Sequence, residues 1–210
     1  MCGIAGVIDY SAPPSSYRGL LSKLQSTLRH RGPDEQSIAM ISYGGLVHTR
    51  LSVIDLKGSH QPLTSYDGRW ILTYNGEIYN YRELKYEIGD RWHFCTQGDT
   101  EVVMAAWALW GANCLPRLNG MFSFFIWDNF DNKGYLVRDR LGIKPAVWSY
   151  QSGIFAFASE AKALIDTIVL DVRVNEQSIL EYLVAPFFSG VSSSMFSGIE
   201  NLQPGTLLEV

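Results

Sequence analysis

Short apolar runs of strand length, many in neighbouring pairs, set the first limit on this chain. The runs cover residues 3–9, 37–42, 45–54, 70–75, 121–128, 134–138, 154–158 and 206–210. Turn segments such as Asp131-Asn132-Lys133-Gly134 and Gln151-Ser152-Gly153 separate several of them. Connections this short join antiparallel strands, because a parallel pair needs a long crossover. Helical spacing interrupts the strands. Tyr17, Leu20, Leu21, Leu24 and Leu28 recur on one helical face, and a second helix is predicted to start near Asp99 with Val102, Val103, Ala106, Trp107 and Trp110 as its apolar face and Gly111 at its end. Shorter helices are expected at 81–88, 160–165 and 175–183. An early helix, hairpins, a middle helix and further hairpins predict an α+β fold with helices covering sheet faces.

Bulk properties narrow the function. The 210 residues suit a single domain over 1–210, and 27 aromatic residues (6 Trp, 11 Tyr, 10 Phe) argue for a packed, sheet-rich interior. A net charge of -4 without a basic cluster argues against nucleic acid and anionic membrane as partners. The longest apolar run, Met121–Trp127, is far short of the roughly 20 residues that span a bilayer. Three cysteines, an odd number without CxxC spacing, argue against a disulfide framework or a metal site, so a reducing cytoplasm is the expected compartment.

The start of the chain, Met1-Cys2-Gly3-Ile4-Ala5-Gly6-Val7-Ile8-Asp9, carries the chemistry. Removal of Met1 would leave Cys2 with both a nucleophile and a base. Its α-amine, with a pKa of about 7.7–8.0, can take the proton of a thiol of about 8.5. The strand-like run that follows would hold that thiol inside the fold.

This opening resembles that of class II glutamine amidotransferases, a branch of the N-terminal-nucleophile hydrolases. "LRHRGPD" (28–34), "HTRLSVIDL" (48–56), "YNGEIYNYREL" (74–84) and "GDTEVV" (98–103) resemble the glutaminase domain of asparagine synthetases. So do "CLPRLNGMFSFFIWD" (114–128), "VRDRLGIKP" (137–145), "FAFASEAKAL" (155–164) and "NLQPGTLLEV" (201–210). The resemblance implies a four-layer αββα sandwich of two antiparallel sheets flanked by helices. It also implies release of ammonia from L-glutamine by Cys2.

The remaining site residues follow from the same resemblance. Attack on a carboxamide places charge on oxygen, and the family sets oxyanion donors at the positions of Asn75 and Gly76. The Asn-Gly pair alone also reads as a hairpin turn. Arg50 matches the residue that grips the α-carboxylate, for which a planar guanidinium is suited. Asp99, assisted by Glu77, matches the partner of the α-ammonium, although Asp99 alone reads as a helix N-cap. Backbone groups around Leu51 and Val53 are expected to line the same pocket. His30, His48, His60 and His93 are assigned structural roles, His30 ordering a loop near the pocket. Cys95 and Cys114 are expected to be small core residues.

The Ser-Gly-Gly-x-Asp-Ser loop of the family's adenylating domain is missing from the sequence. ATP and Mg²⁺ are therefore expected only in a separate synthetase domain or subunit that receives the ammonia, with a homodimer as a further possibility. Met121 is placed by position at a tunnel wall or domain interface, and the 139–145 loop at the partner or in a tight turn. Departures from the family pattern are Thr49, Gln97-Gly98 before Asp99, and "KPAVW" at 144–148. A catalytically silent interaction domain and an amidotransferase of a secondary-metabolite pathway remain as alternatives.

Overall fold

The computed structural model describes residues 1–52, 58–167, 173–184 and 194–210. In chain order these form β1 (Gly3–Ile8), α1 (Arg18–Leu28), β2 (Glu35–Ile41), β3 (Gly44–Arg50), β4 (Leu63–Thr64), β5 (Trp70–Ile78) and α2 (Tyr81–Ile88). There follow α3 (Asp99–Trp110), β6 (Gly120–Asp128), β7 (Lys133–Arg138), β8 (Val147–Gln151), β9 (Ile154–Ala158), α4 (Ala161–Thr167), α5 (Glu176–Val184), β10 (Glu200–Asn201) and β11 (Leu207–Glu209). The strands make two antiparallel sheets, ordered β10-β8-β9-β1-β3-β2 and β11-β7-β6-β5-β4. Among the described residues, no helix is long and apolar enough to cross a membrane.

Alternation along the strands decides the layers, because successive side chains point to opposite faces. In β1, Ile4 and Ile8 pack into the space between the sheets, while Ala5 and Val7 face outward against Leu21, Leu24 and Leu28 of α1 and Ala163 and Leu164 of α4. In β6, Phe125 and Trp127 face the inter-sheet layer, and Phe122, Phe124 and Ile126 face α2 and α3. Both faces of both sheets are thus covered, and the order is the expected αββα sandwich.

Three particulars differ from the sequence reading. Residues 75 and 76 do not turn: β5 runs on to Ile78, with Asn75 opposite Ser123 and Gly76 opposite Phe122. The Asn-Gly preference for turns is overridden by strand pairing across the whole of β6. Helix α3 is buried along Asp99–Trp107 and not on one face alone, because α2 and the 111–118 segment flank it while the sheet lies beneath. Strand β8 escaped the reading since its Val-Trp-Ser-Tyr-Gln run is half polar. Gly111, at φ 55°, ends α3 as expected.

Gly6 sits at the centre of the inter-sheet layer. A Cβ there would lie 2.4 Å from the Phe157 ring and 2.9 Å from Leu46. Phe157 cannot retreat, because it stacks on Phe125 at 4.5 Å. Gly6→Val is expected to destabilise the fold by about 1–3 kcal/mol through overpacking, read as a lowered midpoint in denaturant titration.

Candidate active site

Strand β1 is flanked on both sides, by β3 and β9, and this fixes the residue before it. Ile4 N–H donates to Ser159 Oγ (3.0 Å), and Ser159 N–H donates to the Ile4 carbonyl (2.8 Å). Arg31 Nε donates to the Cys2 carbonyl (2.9 Å), and its Nη1 meets Glu160 Oε1 at 2.7 Å. Gly32 lets this Arg31 loop lie against β3, since a Cβ would fall 2.2 Å from the Thr49 carbonyl. Thr49 itself is fully buried and donates to the Leu28 carbonyl at 3.1 Å, so an uncharged residue suits this departure from the family pattern. Cys2 is half-buried. Its Sγ accepts from Leu51 N–H (3.4 Å) and donates to the Leu51 carbonyl (3.6 Å).

Beside this sulfur lies a cavity of about 200 Å³. Cys2, Arg50, Leu51, Asn75, Gly76, Glu77 and Asp99 all line it, as does Met1. Val53 lies outside the described residues. The walls come from both sheets: Arg50 from the end of β3, and residues 75–77 from β5. Asn75 is buried and its Nδ2 has no hydrogen-bond partner among the described residues, so an unused donor stands at the cavity wall. Gly76 has no space for a side chain, because a Cβ would meet the Met121 carbonyl, Phe122 and Tyr74, each at 2.7 Å.

The charges are held by identifiable partners. Arg50 Nη1 pairs with Glu35 Oε2 (3.3 Å), and Glu35 also meets His60 (2.8 Å). Asp99 does not cap α3; Gly98 holds that position. Its Oδ2 accepts from the Tyr74 hydroxyl (2.7 Å) and from Ile78 N–H (3.0 Å), which ties the start of α3 to β5. Burial pushes the Asp99 carboxyl above its usual range, and these two donors offset only part of that. Burial also pushes the Cys2 thiol up, against the pull of the Leu51 N–H, the terminal amine, Arg50 and Lys144. Burial would push Glu160 up as well, but bonds from Arg31, His30 and Lys162 outweigh it and bring the carboxyl to about 2.

The histidines take structural places. His30 bridges the Thr27 carbonyl and Glu160, and so orders the loop that reaches Cys2. His48 shares the face of Arg50 on β3 but is sealed between the sheets against Thr73 (3.1 Å). Cys114 is buried as expected, whereas Cys95 is exposed, because its backbone N–H serves Glu101 while its side chain faces outward. Sequence reading missed Gln61, Tyr74, Thr100 and Lys144 as cavity residues. Gln61 gives the clearest case: its amide bonds Tyr74 N–H and Thr100 across the fold, and nothing near it in the chain announces this.

Two antiparallel sheets stacked face to face between helices make a four-layer αββα fold. Two solved structures share it: a glutamine phosphoribosylpyrophosphate amidotransferase from B. subtilis (TM-score 0.59, 22% identity, 79% of this chain and 43% of that one) and an allosteric regulatory enzyme of purine biosynthesis (TM-score 0.65, 19% identity, 100% and 47%). The glutamine amidotransferase domain model matches residues 1–210, and the chain belongs to that family. Among curated proteins it is 32% identical to asparagine synthetase [glutamine-hydrolyzing] 3 of Bacillus subtilis, over 99% of this chain and 34% of that protein. It is 40% identical to asparagine synthetase B [glutamine-hydrolyzing] of Escherichia coli, over 79% of this chain and 30% of that one. The chain thus spans about a third of the length of these relatives.

His48 gives the fold an acid weakness. Burial, with Arg50 nearby, holds its pKa at about 3, against about 6.5 unfolded. The stability from keeping it neutral is complete above the unfolded value and is lost as pH falls from 6.5 towards 3, at about 1.4 kcal/mol per pH unit. His48→Leu is expected to flatten the decline of the melting temperature across that window, as followed by thermal melts in a pH series.

Proposed function

We propose that this domain hydrolyses glutamine to glutamate and ammonia with Cys2 as the nucleophile. The observation that carries the reading is one cavity that joins the Cys2 sulfur, the unpartnered Asn75 amide, the Arg50 cation and the Glu77 and Asp99 carboxyls. A free amino acid presents a carboxylate, an ammonium and a side-chain amide, and the cavity offers a group of suitable chemistry for each.

Removal of Met1 exposes the Cys2 α-amine, which takes the thiol proton as sulfur bonds to the amide carbon. The carbonyl oxygen becomes an oxyanion, and Asn75 Nδ2 with Gly76 N–H supplies hydrogen bonds where that charge develops. Collapse breaks the C–N bond as the α-ammonium returns its proton to the leaving nitrogen, giving ammonia and a thioester. Water, deprotonated by the same amine, then releases glutamate and restores the thiol. Arg50 binds the α-carboxylate, and Asp99 with Glu77 the α-ammonium. Asp99 meets its role while its other bonds hold it rigid, and Leu51 offers its backbone beside the sulfur.

The similarity to glutamine-hydrolysing asparagine synthetases supports a further step. The ammonia passes, sheltered from water, to an ATP- and Mg²⁺-dependent synthetase domain or subunit, with Met121 at the cavity wall on the exit side.

Intact mass should show loss of Met1, and the protein should release glutamate from glutamine. Cys2→Ala is expected to abolish release while still binding glutamine in calorimetry. Asn75→Ala should lower kcat about 100- to 1,000-fold with little change in KM. Arg50→Ala should chiefly raise KM. Absence of glutamine binding by the wild type would overturn the site, and retention of Met1 without turnover would favour a silent interaction domain.

A further inference from the structure

Lys144 lines the same cavity as Cys2 but has no part in the scheme above. It is only 7% exposed, and its ammonium makes no hydrogen bond or ion pair with the described residues. A lysine side chain enclosed to this degree is usually paired with an anion. Here the backbone holds it in place. Lys144 N–H donates to Asp139 Oδ2 (3.0 Å), and its carbonyl accepts from Arg138 Nε (2.9 Å). The Asp139 carboxylate, itself buried, also accepts from Leu141 N–H (3.1 Å), Ile143 N–H (3.0 Å) and Phe122 N–H (3.2 Å). Phe122 lies opposite Gly76 in the sheet, so the lysine is locked to the strand pair that forms the cavity wall.

The anions among the described residues do not answer this charge. Glu35 pairs with Arg50, Asp99 is bonded by Tyr74 and Ile78, and Glu77 makes no ion pair with Lys144. What remains is an anion that chemistry creates. We propose that Lys144 is a positioning residue whose fixed positive charge on the cavity wall favours the thiolate of Cys2 over the thiol. This rests on Cys2 being the nucleophile. Among the described residues, the charged and titratable groups around the sulfur are the terminal amine, Arg50 on β3, Tyr74 and Glu77 on β5, Asp99 on α3 and Lys144 on its loop, with Arg31 at the Cys2 carbonyl. Of the cations in this set, Arg50 has a carboxylate of its own in Glu35, which leaves the lysine charge less compensated. Its pull on the thiol acts in the same direction as those of the terminal amine and Arg50, which are the larger two.

The test is the rate of Cys2 alkylation by iodoacetamide as a function of pH. It is read by mass on the N-terminal peptide, so that Cys95 and Cys114 do not contribute. Lys144→Met should move the inflection to higher pH and slow alkylation at neutral pH about tenfold, the size of a shift of about one pH unit. Lys144→Arg should restore most of the rate. In glutamine hydrolysis, Lys144→Met should lower kcat with little change in KM. If Lys144→Met does not fold, Lys144→Gln carries the same comparison. Superimposable alkylation profiles for the wild type and the folded variant would overturn the proposal. A Cys2→Ala protein that still hydrolyses glutamine would instead overturn the nucleophile on which it rests.

Discussion

The hydrogen-bonded seat of β1 between β3 and β9 is the constraint on which the site depends. A chain terminus normally frays, because few contacts offset the entropy of ordering it. Here the residues from Gly3 to Ile8 are all buried, paired to β3 along the whole strand and to β9 from Ala5 to Ile8. The Ser159 hydroxyl holds Ile4 N–H, and the Arg31 guanidinium extends the restraint to the Cys2 carbonyl. The Cys2 sulfur thereby holds a fixed position beside the cavity.

Charge compensation is the second ordering principle. Arg50, Asp99 and Glu160 are each drawn from water, and each is bonded in a different way: to a carboxylate on the neighbouring strand, to a phenol and a backbone amide, and to a cluster of cations. These bonds limit the desolvation cost and also remove rotameric freedom. The cavity therefore presents charges that are already oriented, which is what electrostatic recognition of a zwitterion requires.

Much of this was legible in the sequence, and for definable reasons. The near-continuous apolar runs of β1 and β6 read directly as strands buried on both faces, and the Leu spacing of α1 as a helix on one of them. Collinear motifs brought Cys2, Arg50, Asn75, Gly76, Glu77 and Asp99 to one place. Local signals misled where tertiary pairing competes with them. Asn75-Gly76 has the composition of a turn, yet β6 holds it straight, and Asp99 has the composition of a cap, yet its oxygen is claimed by β5. Gln61 was invisible because its bonds reach residues distant in the chain, and a lone glutamine carries no periodicity to betray it.

The two halves of the cavity belong to different sheets: Cys2 and Arg50 to the one built around β1 and β3, Asn75 to Glu77 to the one built around β5 and β6. The gap between them is set by the aromatic filling, above all Phe125 stacked on Phe157 with Trp127 beside them. That filling is in effect a spacer. Its thickness fixes the width of the cavity from well outside it, so hydrostatic compression of the sandwich would be transmitted to the distance between the Cys2 sulfur and the Asn75 amide.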